Sequence, residues 1–386
     1  MTGSAPPGVT ASTYAVITGG GTAGHVVPAL AVAEALVAAG HEPGEIHYVG
    51  AARGIETELV GRSPYGHTFL DVVGLQRGVS RHDLAVNLRL MPKLAAATRQ
   101  ATALLRELRP RVVVSVGGYA SLPAAIAGRR LGVPIVAVSY DRRPGRATAL
   151  TARFAAATAV AFPDSPLPRA VVTGAPLRQN VLRVDRERDR EAARRSLGLP
   201  LERFAVVATG GSLGAGPLND AVARYVDEHR DDPGLAVRQV VGTRFLPSAP
   251  EGSDGRSGVL HQVIGFDDRI ALAYAAADLF VGRGGASTVA EVAVTATPAV
   301  LVPWPGAAED HQRENVRWLS DRHGAVLLPE ADLASLGDVV ERLRGAPDER
   351  AAMSAAAAAA GQVHRSDALV RLIERVALPQ TQGRTS

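Results

Sequence analysis

The run Gly19-Gly20-Gly21-Thr22-Ala23-Gly24-His25 has the composition of a turn that brings backbone N–H groups close to a phosphate or a sugar. Glycine lets the main chain approach a ligand with no Cβ in the way, and a helix start just beyond it attracts negative charge. Structural turns use glycine too, and dinucleotide enzymes share the look. The acidic residue that such enzymes place at the end of their second strand to bind a ribose is not evident. Here Ile46–Val49 runs on into Gly50-Ala51-Ala52-Arg53, which counts against a dinucleotide cofactor. His25, at the junction of turn and helix, reads as a structural imidazole or as a general base.

Three later runs carry related chemistry. In Gly210-Gly211-Ser212-Leu213-Gly214-Ala215, the Ser212 hydroxyl and its neighbouring amides suit a diphosphate at a helix start. The lack of a Gly-Lys-Ser/Thr ending rules out a Walker A loop. In Gly282-Arg283-Gly284-Gly285-Ala286-Ser287-Thr288-Val289-Ala290-Glu291, Ser287 and Thr288 suit an N-cap, and the amides around them suit phosphate. Glu291 lies about one turn further on and fits a ribose diol; it equally fits the preference of acidic side chains for a first helical turn. In Asp310-His311-Gln312-Arg313-Glu314-Asn315, Gln312 and Asn315 share a helix face from which amides can bind sugar hydroxyls. Alone, that run reads as a solvated helix start.

The elements that must position these residues alternate. Short β-branched runs (Tyr14–Thr18, Val112–Val116, Pro134–Val138, Phe204–Ala208, Leu279–Val281, Ala299–Val302) are separated by segments of helical period (Ala29–Ala39, Leu88–Leu108, Ala124–Leu131, Ile270–Ala277, Ser287–Ala296). Continuous apolar strands separated by helices predict an α/β fold with parallel sheets covered on both faces. The strand, glycine turn and helix at Ala15–Ala39 recur about 190 residues later at Ala205–Tyr225, which points to two Rossmann-like domains. The expected division is 1–178, 179–362, and a last segment 363–386. That segment is a helix able to pack back on the first domain, followed by a polar, disordered tail from Pro379.

Composition narrows the class. The 386 residues suit two cores of ordinary size, with 46% apolar residues to fill them. No window reaches the roughly 18 uninterrupted apolar residues of a membrane span. The opening MTGSAPPGVTAST lacks the order of a signal peptide. With no cysteine, disulfides, thiolate metal sites and cysteine nucleophiles are excluded, and the sum fits a cytoplasmic protein. The net charge of +4 reads as an Arg-rich composition or as attraction to an anionic surface or phosphate-bearing ligand. Aromatics at 4%, without basic–aromatic interleaving, speak against nucleic acid.

Taken in this order and at these separations, the runs resemble the MurG family of peptidoglycan N-acetylglucosaminyltransferases. Gly117-Gly118-Tyr119-Ala120-Ser121, Gly174-Ala175-Pro176-Leu177-Arg178 and Ala273-Tyr274-Ala275-Ala276-Ala277-Asp278 match its pattern as well. The resemblance covers roughly Tyr14 to Val376. It implies a GT-B fold, with two Rossmann-like domains whose parallel sheets face across a cleft. It also implies transfer of GlcNAc from UDP-GlcNAc to lipid I, the undecaprenyl-diphosphate-linked muramoyl pentapeptide, to give lipid II on the cytoplasmic membrane face, with no metal ion or other cofactor. Ser212 and the amides of Ala286, Ser287 and Thr288 would meet the diphosphate, Glu291 the ribose, Phe266 the uracil and Gln312 the sugar hydroxyls. Arg178 would lie close to the donor, and Thr22, Ala23 and Gly24 would close over it. His25 matches the family histidine near the acceptor hydroxyl, and it or a neighbour would act as base in an inverting displacement, with Tyr119 on the acceptor side.

One run departs from the family. Where a His-Glu-x-Asn run usually follows the strand, this chain reads Ser139-Tyr140-Asp141-Arg142-Arg143-Pro144-Gly145, one residue shorter. Asp141 is then a candidate for the acidic group, and Arg142 or Arg143 for the acceptor diphosphate. The departure leaves the acceptor open between lipid I and another lipid-linked phosphate. The segment Leu75–Lys93 mixes Leu84, Leu88, Leu90 and Met91 with Arg81, Arg89 and Lys93. It fits a helix face packed on the core or a patch on an anionic inner membrane surface, and the resemblance favours peripheral membrane binding. Two other readings remain: a UDP-GlcNAc 2-epimerase of similar fold, and a non-catalytic UDP-sugar-binding partner.

Overall fold

A computed structural model of the chain describes residues 12–378 apart from 22, 54–55, 73–80, 212–213 and 308–309, the side chains of 23 and 81–90 excepted. The tail expected to be disordered lies outside these residues, as do Thr22, Ser212 and residues 75–80 of the proposed membrane patch. The chain divides into two compact units. The first runs to Val172, lends Tyr140–Arg143 to the second, and takes the chain back from Asp367; the second holds Thr173–Ser366. The crossings thus fall six residues before, and four after, the borders read from the sequence at 178 and 362. Gly174 explains the first. Its φ is +79°, and a Cβ there would meet the backbone of Val363 and His364, so the main chain is already seated in the second unit at that point.

In the first unit the strands are β1 (Ala15–Thr18), β2 (Ile46–Ala51), β3 (Gly66–Leu70), β4 (Val112–Ser115), β5 (Ile135–Ser139), β6 (Ala157–Val160) and β7 (Ala170–Val172). They form a parallel sheet in the order β3-β2-β1-β4-β5-β6-β7. The intervening helices are α1 (Ala23–Ala38), α2 (Glu56–Gly61), α3 (Arg81–Leu108), α4 (Leu122–Leu131) and α5 (Arg146–Ala152). β1, β4, β5 and β6 are buried along their whole length, as expected of strands with helices on both faces. Val16, Val49, Val113, Ala137, Ala101 and Leu105 belong to one core cluster.

The second unit contains α6 (Gln179–Leu182), α7 (Arg186–Leu197), β8 (Phe204–Thr209), α8 (Gly216–Glu228), β9 (Leu235–Val240), β10 (Ser253–Asp254), β11 (Leu260–Ile264), α9 (Ile270–Ala276), β12 (Leu279–Arg283), α10 (Ala286–Thr295), β13 (Ala299–Val302), α11 (His311–Ser320), β14 (Val326–Leu327), α12 (Leu336–Gly345) and α13 (Pro347–Gly361). Its sheet order is β10-β11-β9-β8-β12-β13-β14. The sheet is parallel except at β10, which pairs antiparallel with β11. That exception to the all-parallel expectation is a two-residue edge strand made by a local hairpin, which needs no crossover helix. Asp278 of the Ala273–Asp278 run is a structural anchor. It accepts from Ala205 N–H at 2.8 Å where β8 starts, and from the Arg190 and Arg194 guanidinium groups.

The last helix, α14 (Ala368–Ala377), packs in the first unit against β4, β5, β6 and α1. His41 Nε2 lies 3.3 Å from Glu374 Oε1, which ties the helix to the end of α1.

Two buried histidines of the second unit make its stability depend on pH. Burial pushes His261 and His364 down to about 4. His261 Nε2 donates to Gln239 Oε1 at 2.9 Å, and His364 Nδ1 accepts from Ala175 N–H, also at 2.9 Å. Both rings are therefore neutral in the fold. The unfolded chain takes up protons below about pH 6.5 and the folded chain does not, so stability is full above that pH and falls as pH drops towards 4. The thermal midpoint is expected to fall by about 5 °C or more between pH 7 and pH 4.5, and His364→Gln should flatten the curve. A profile that is the same in the variant contradicts this assignment.

Candidate functional site

In an open parallel sheet, ligands bind beyond the carboxyl ends of the strands, where the strand order reverses. In the second unit that point lies between β8 and β12. The turn after β8 is tight. Gly211 and Gly214 have φ of +82° and +69°, and a Cβ on Gly214 would collide with the Val241 carbonyl. The turn after β12 is tight for another reason. A Cβ on Gly284 would lie 2.5 Å from Val316 Cγ2 and 2.9 Å from the Gln312 carbonyl, so glycine there lets α11 sit against the start of α10.

The sequence placed an N-cap at Ser287 or Thr288. The structure corrects this: the cap is Gly285, with φ −63° and ψ 145°, and it has no capping side chain. The chain turns early because Gly284 is pressed against α11. Helical bonding starts with Val289 N–H to the Gly285 carbonyl at 3.0 Å. The N–H groups of Ala286, Ser287 and Thr288 precede that bond and point out of the helix start, where an anion is favoured.

Glu291 is the sixth residue of α10, beyond the first turn, so the reading of it as a first-turn helix charge is overturned. It is 8% exposed, and one oxygen, Oε2, accepts from the Tyr274 hydroxyl at 2.9 Å. Burial raises its pKa, opposed by the positive charge of Arg178 and the Tyr274 bond. No described residue donates to Oε1. Arg178, at the N-cap position of α6, has a buried Nε without a partner among the described residues. A carboxylate oxygen and a guanidinium N–H of the second unit are thus without a protein partner among the described residues.

Phe266 follows β11 and is 54% exposed, large for an aromatic ring beside a sheet edge. Gln312, in the first turn of α11, uses Oε1 to accept from Trp304 N–H at 2.9 Å, which leaves its amino group as a donor. Asn315, expected to face sugar alongside it, is fully buried and has a different task. Its Oδ1 accepts from Arg142 N–H, and its Nδ2 donates to Asp141 Oδ1, both at 3.0 Å. Asp141 and Arg142, read as acceptor residues of the first domain, are therefore held by α11 of the second unit. Arg143 lies 3.9 Å from Glu314 of the same helix.

In the first unit the strand order reverses between β1 and β4. The turns after these strands meet there. Gly20 N–H donates to the Gly117 carbonyl at 3.4 Å, and Tyr119 packs on Gly21, where a Cβ would enter its ring. His25, in the first turn of α1, has its ring over Gly117 and Gly118. A Cβ on Gly118 would stand 2.8 Å from His25 Cδ2, and one on Gly117 3.5 Å from His25 Nδ1. Ala23 and Gly24 start the same helix.

Sequence reasoning missed Glu56. No acid was evident at the end of β2, yet this side chain reaches back from α2 to the first glycine turn and accepts from Gly21 N–H at 2.8 Å. Its position, five residues beyond β2, reads only as an acidic first turn of a helix. Tyr274 was noted within a motif and given no partner; its bond to Glu291 joins residues 17 apart in sequence.

Residues 15–160 match the glycosyltransferase family 28 N-terminal domain, and residues 205–369 its C-terminal domain. The chain is 36% identical over 374 residues to the UDP-N-acetylglucosamine–N-acetylmuramyl-(pentapeptide) pyrophosphoryl-undecaprenol N-acetylglucosamine transferase of Desulforudis audaxviator, covering 94% of this chain and 98% of that protein. To the protein of the same name from Nocardioides sp. it is 38% identical over 366 residues, with the same coverage. Among solved structures, Acinetobacter baumannii MurG superposes with a TM-score of 0.68 at 26% identity, over 94% of this chain and 98% of that one. A glycosyltransferase of kitacinnamycin, at 16% identity and a TM-score of 0.64, shares the fold.

Proposed function

The chain belongs to the MurG family within glycosyltransferase family 28, and from that premise we propose that it transfers GlcNAc from UDP-GlcNAc to lipid I, making lipid II for peptidoglycan. Its fold is GT-B. The observation that carries the donor side is the uncapped start of α10 at the strand-order reversal, with Glu291 on the same helix. The diphosphate lies against the amides of Ala286, Ser287 and Thr288, with Ser212 of the other glycine turn. The ribose hydroxyls bond Glu291 Oε1, and the uracil lies on Phe266. The Gln312 amino group takes a sugar hydroxyl. Arg178 and the helix-start amides meet the charge that grows on UDP as it leaves, so that the protein supplies electrostatic stabilisation of the leaving group itself.

On the acceptor side, His25 removes the proton of the attacking hydroxyl as the new bond forms at the anomeric carbon with inversion. Thr22, Ala23 and Gly24 are assigned to UDP-GlcNAc and Tyr119 to the acceptor. Asp141 and Arg142, fixed by Asn315, contact the acceptor diphosphate or sugar in place of the family run. The protein works at the cytoplasmic membrane face as a peripheral protein. Among the described residues no helix is long and apolar enough to cross a membrane. Met91 and Lys93, at the described end of the Leu75–Lys93 segment, are exposed on α3, as a surface-binding helix requires.

The test is transfer of labelled sugar. Purified protein with UDP-[14C]GlcNAc, a lipid I analogue and EDTA is expected to give labelled lipid II. Label carried only by a different polyprenyl-phosphate acceptor would overturn the lipid I assignment. Conversion of UDP-GlcNAc without any labelled lipid would favour the epimerase.

A further inference from the structure

Glu56 is 1% exposed, and a buried carboxylate is costly unless its oxygens are satisfied. Here they are. Oε2 accepts from Gly21 N–H at 2.8 Å, and Oε1 accepts from Ala51 N–H at 2.9 Å, with the Tyr48 hydroxyl at 3.2 Å. The single Tyr48 O–H proton is shared between Glu56 Oε1 and the Gly19 carbonyl. The chain leaves space for the carboxylate on two sides: a Cβ on Gly20 or on Gly50 would overlap Glu56 Oε1. One carboxyl–phenol pair therefore holds three consecutive turn residues, Gly19 through its carbonyl, Gly20 through packing and Gly21 through its N–H. Burial raises the Glu56 pKa, while the two backbone donors and Tyr48 oppose the shift.

The turn it holds is the floor under His25. A Cβ on Gly118 would collide with the Gly20 carbonyl and stand 2.8 Å from His25 Cδ2, so Gly118 packs between the Gly20 main chain and the imidazole with no room for a side chain. The carboxylate takes the Gly21 amide, a backbone donor of the kind that binds phosphate in such glycine turns. This glycine run is thereby committed to placing a side chain.

We propose that Glu56 is a positioning residue for the transfer reaction: with Tyr48 it fixes the Gly19–Gly21 turn and, through Gly20 and Gly118, sets the place of the His25 ring. The proposal rests on the reading of His25 as the base. Glu56→Gln keeps the shape but sets an NH2 group against one of the two N–H donors, so either Gly21 of the turn or Ala51 of β2 loses its acceptor and the grip between them is broken. Tyr48→Phe keeps the carboxylate and releases the Gly19 carbonyl.

The test is a double-mutant cycle on the full chain in the labelled transfer assay, with Glu56→Gln, Tyr48→Phe and His25→Ala alone and in pairs. Glu56→Gln is expected to lower kcat about tenfold, with KM for UDP-GlcNAc and calorimetric Kd for UDP within about twofold. In the His25→Ala background it should lower kcat no further. Should Glu56→Gln not fold, as judged by near-UV circular dichroism, the Tyr48→Phe arm of the cycle decides on the same criteria. Full turnover in a folded Glu56→Gln protein overturns the proposal, as do losses that multiply in the double variant. If His25→Ala itself turns over normally, the base assignment has failed first, and the cycle reports that separately.

Discussion

Replacing His25 by alanine is expected to lower kcat by about 10²–10⁴-fold and to leave the affinity for UDP unchanged, since positioned general bases contribute factors of that size. The separation follows from the fold. His25 starts α1 of the first unit, while the amides and Glu291 assigned to the donor lie on α10 of the second. A residue that acts only on the acceptor proton is missed in the transition state and not in the binding of the nucleotide. The measurement is kcat from the transfer assay beside calorimetric Kd for UDP. Near-normal turnover removes His25 from the chemistry, and a matching loss of UDP affinity moves it to the donor.

The second large effect is a contrast between two residues of the second unit. Arg178→Ala should cost about 10²–10³ in kcat, the size seen when one preorganised donor to a developing charge is removed. Its positive charge lies near enough to Glu291 to oppose the rise of that carboxyl's pKa, which places it in the same part of the second unit as the residues assigned to the donor. Glu291→Ala should instead weaken UDP binding about 10- to 100-fold, because hydrogen bonds to a charged group contribute on the order of 1.5–3 kcal/mol. The ribose is bound before and during reaction, so kcat at saturating donor should change far less. Steady-state kinetics with varied UDP-GlcNAc separates the two. Equal effects on kcat and KM for both variants would mean that they support one structure and have no distinct roles.

Much of this fold is legible in the residues. Runs such as Val112–Val116 and Ala299–Val302 are too apolar and too short for anything but strands buried on both faces, and they lie in the sheets within a residue of their expected ends. The glycine turns are legible because their conformations admit little else, as at Gly214 and Gly284. The long-range partners are another matter. Asn315 shows the helical spacing of a sugar-binding amide, and only the fold brings it to Asp141, 174 positions away. Glu56 looks like a charge favoured at a helix start until β2 and the first turn are placed beside it. The helix start of α10 was misread by two residues because its N-cap position is set by the approach of α11 to Gly284, and local capping chemistry contains no trace of that contact.

The central claim is that the nucleotide binds at the uncapped start of α10. A crystal structure with UDP tests it directly. The account predicts the diphosphate within about 3 Å of the Ala286, Ser287 or Thr288 amides and a ribose hydroxyl on Glu291 Oε1, with Gly21 N–H still bonded to Glu56. UDP seated on the Gly19–Gly21 turn with Glu56 displaced, and the α10 amides left to water, would contradict it.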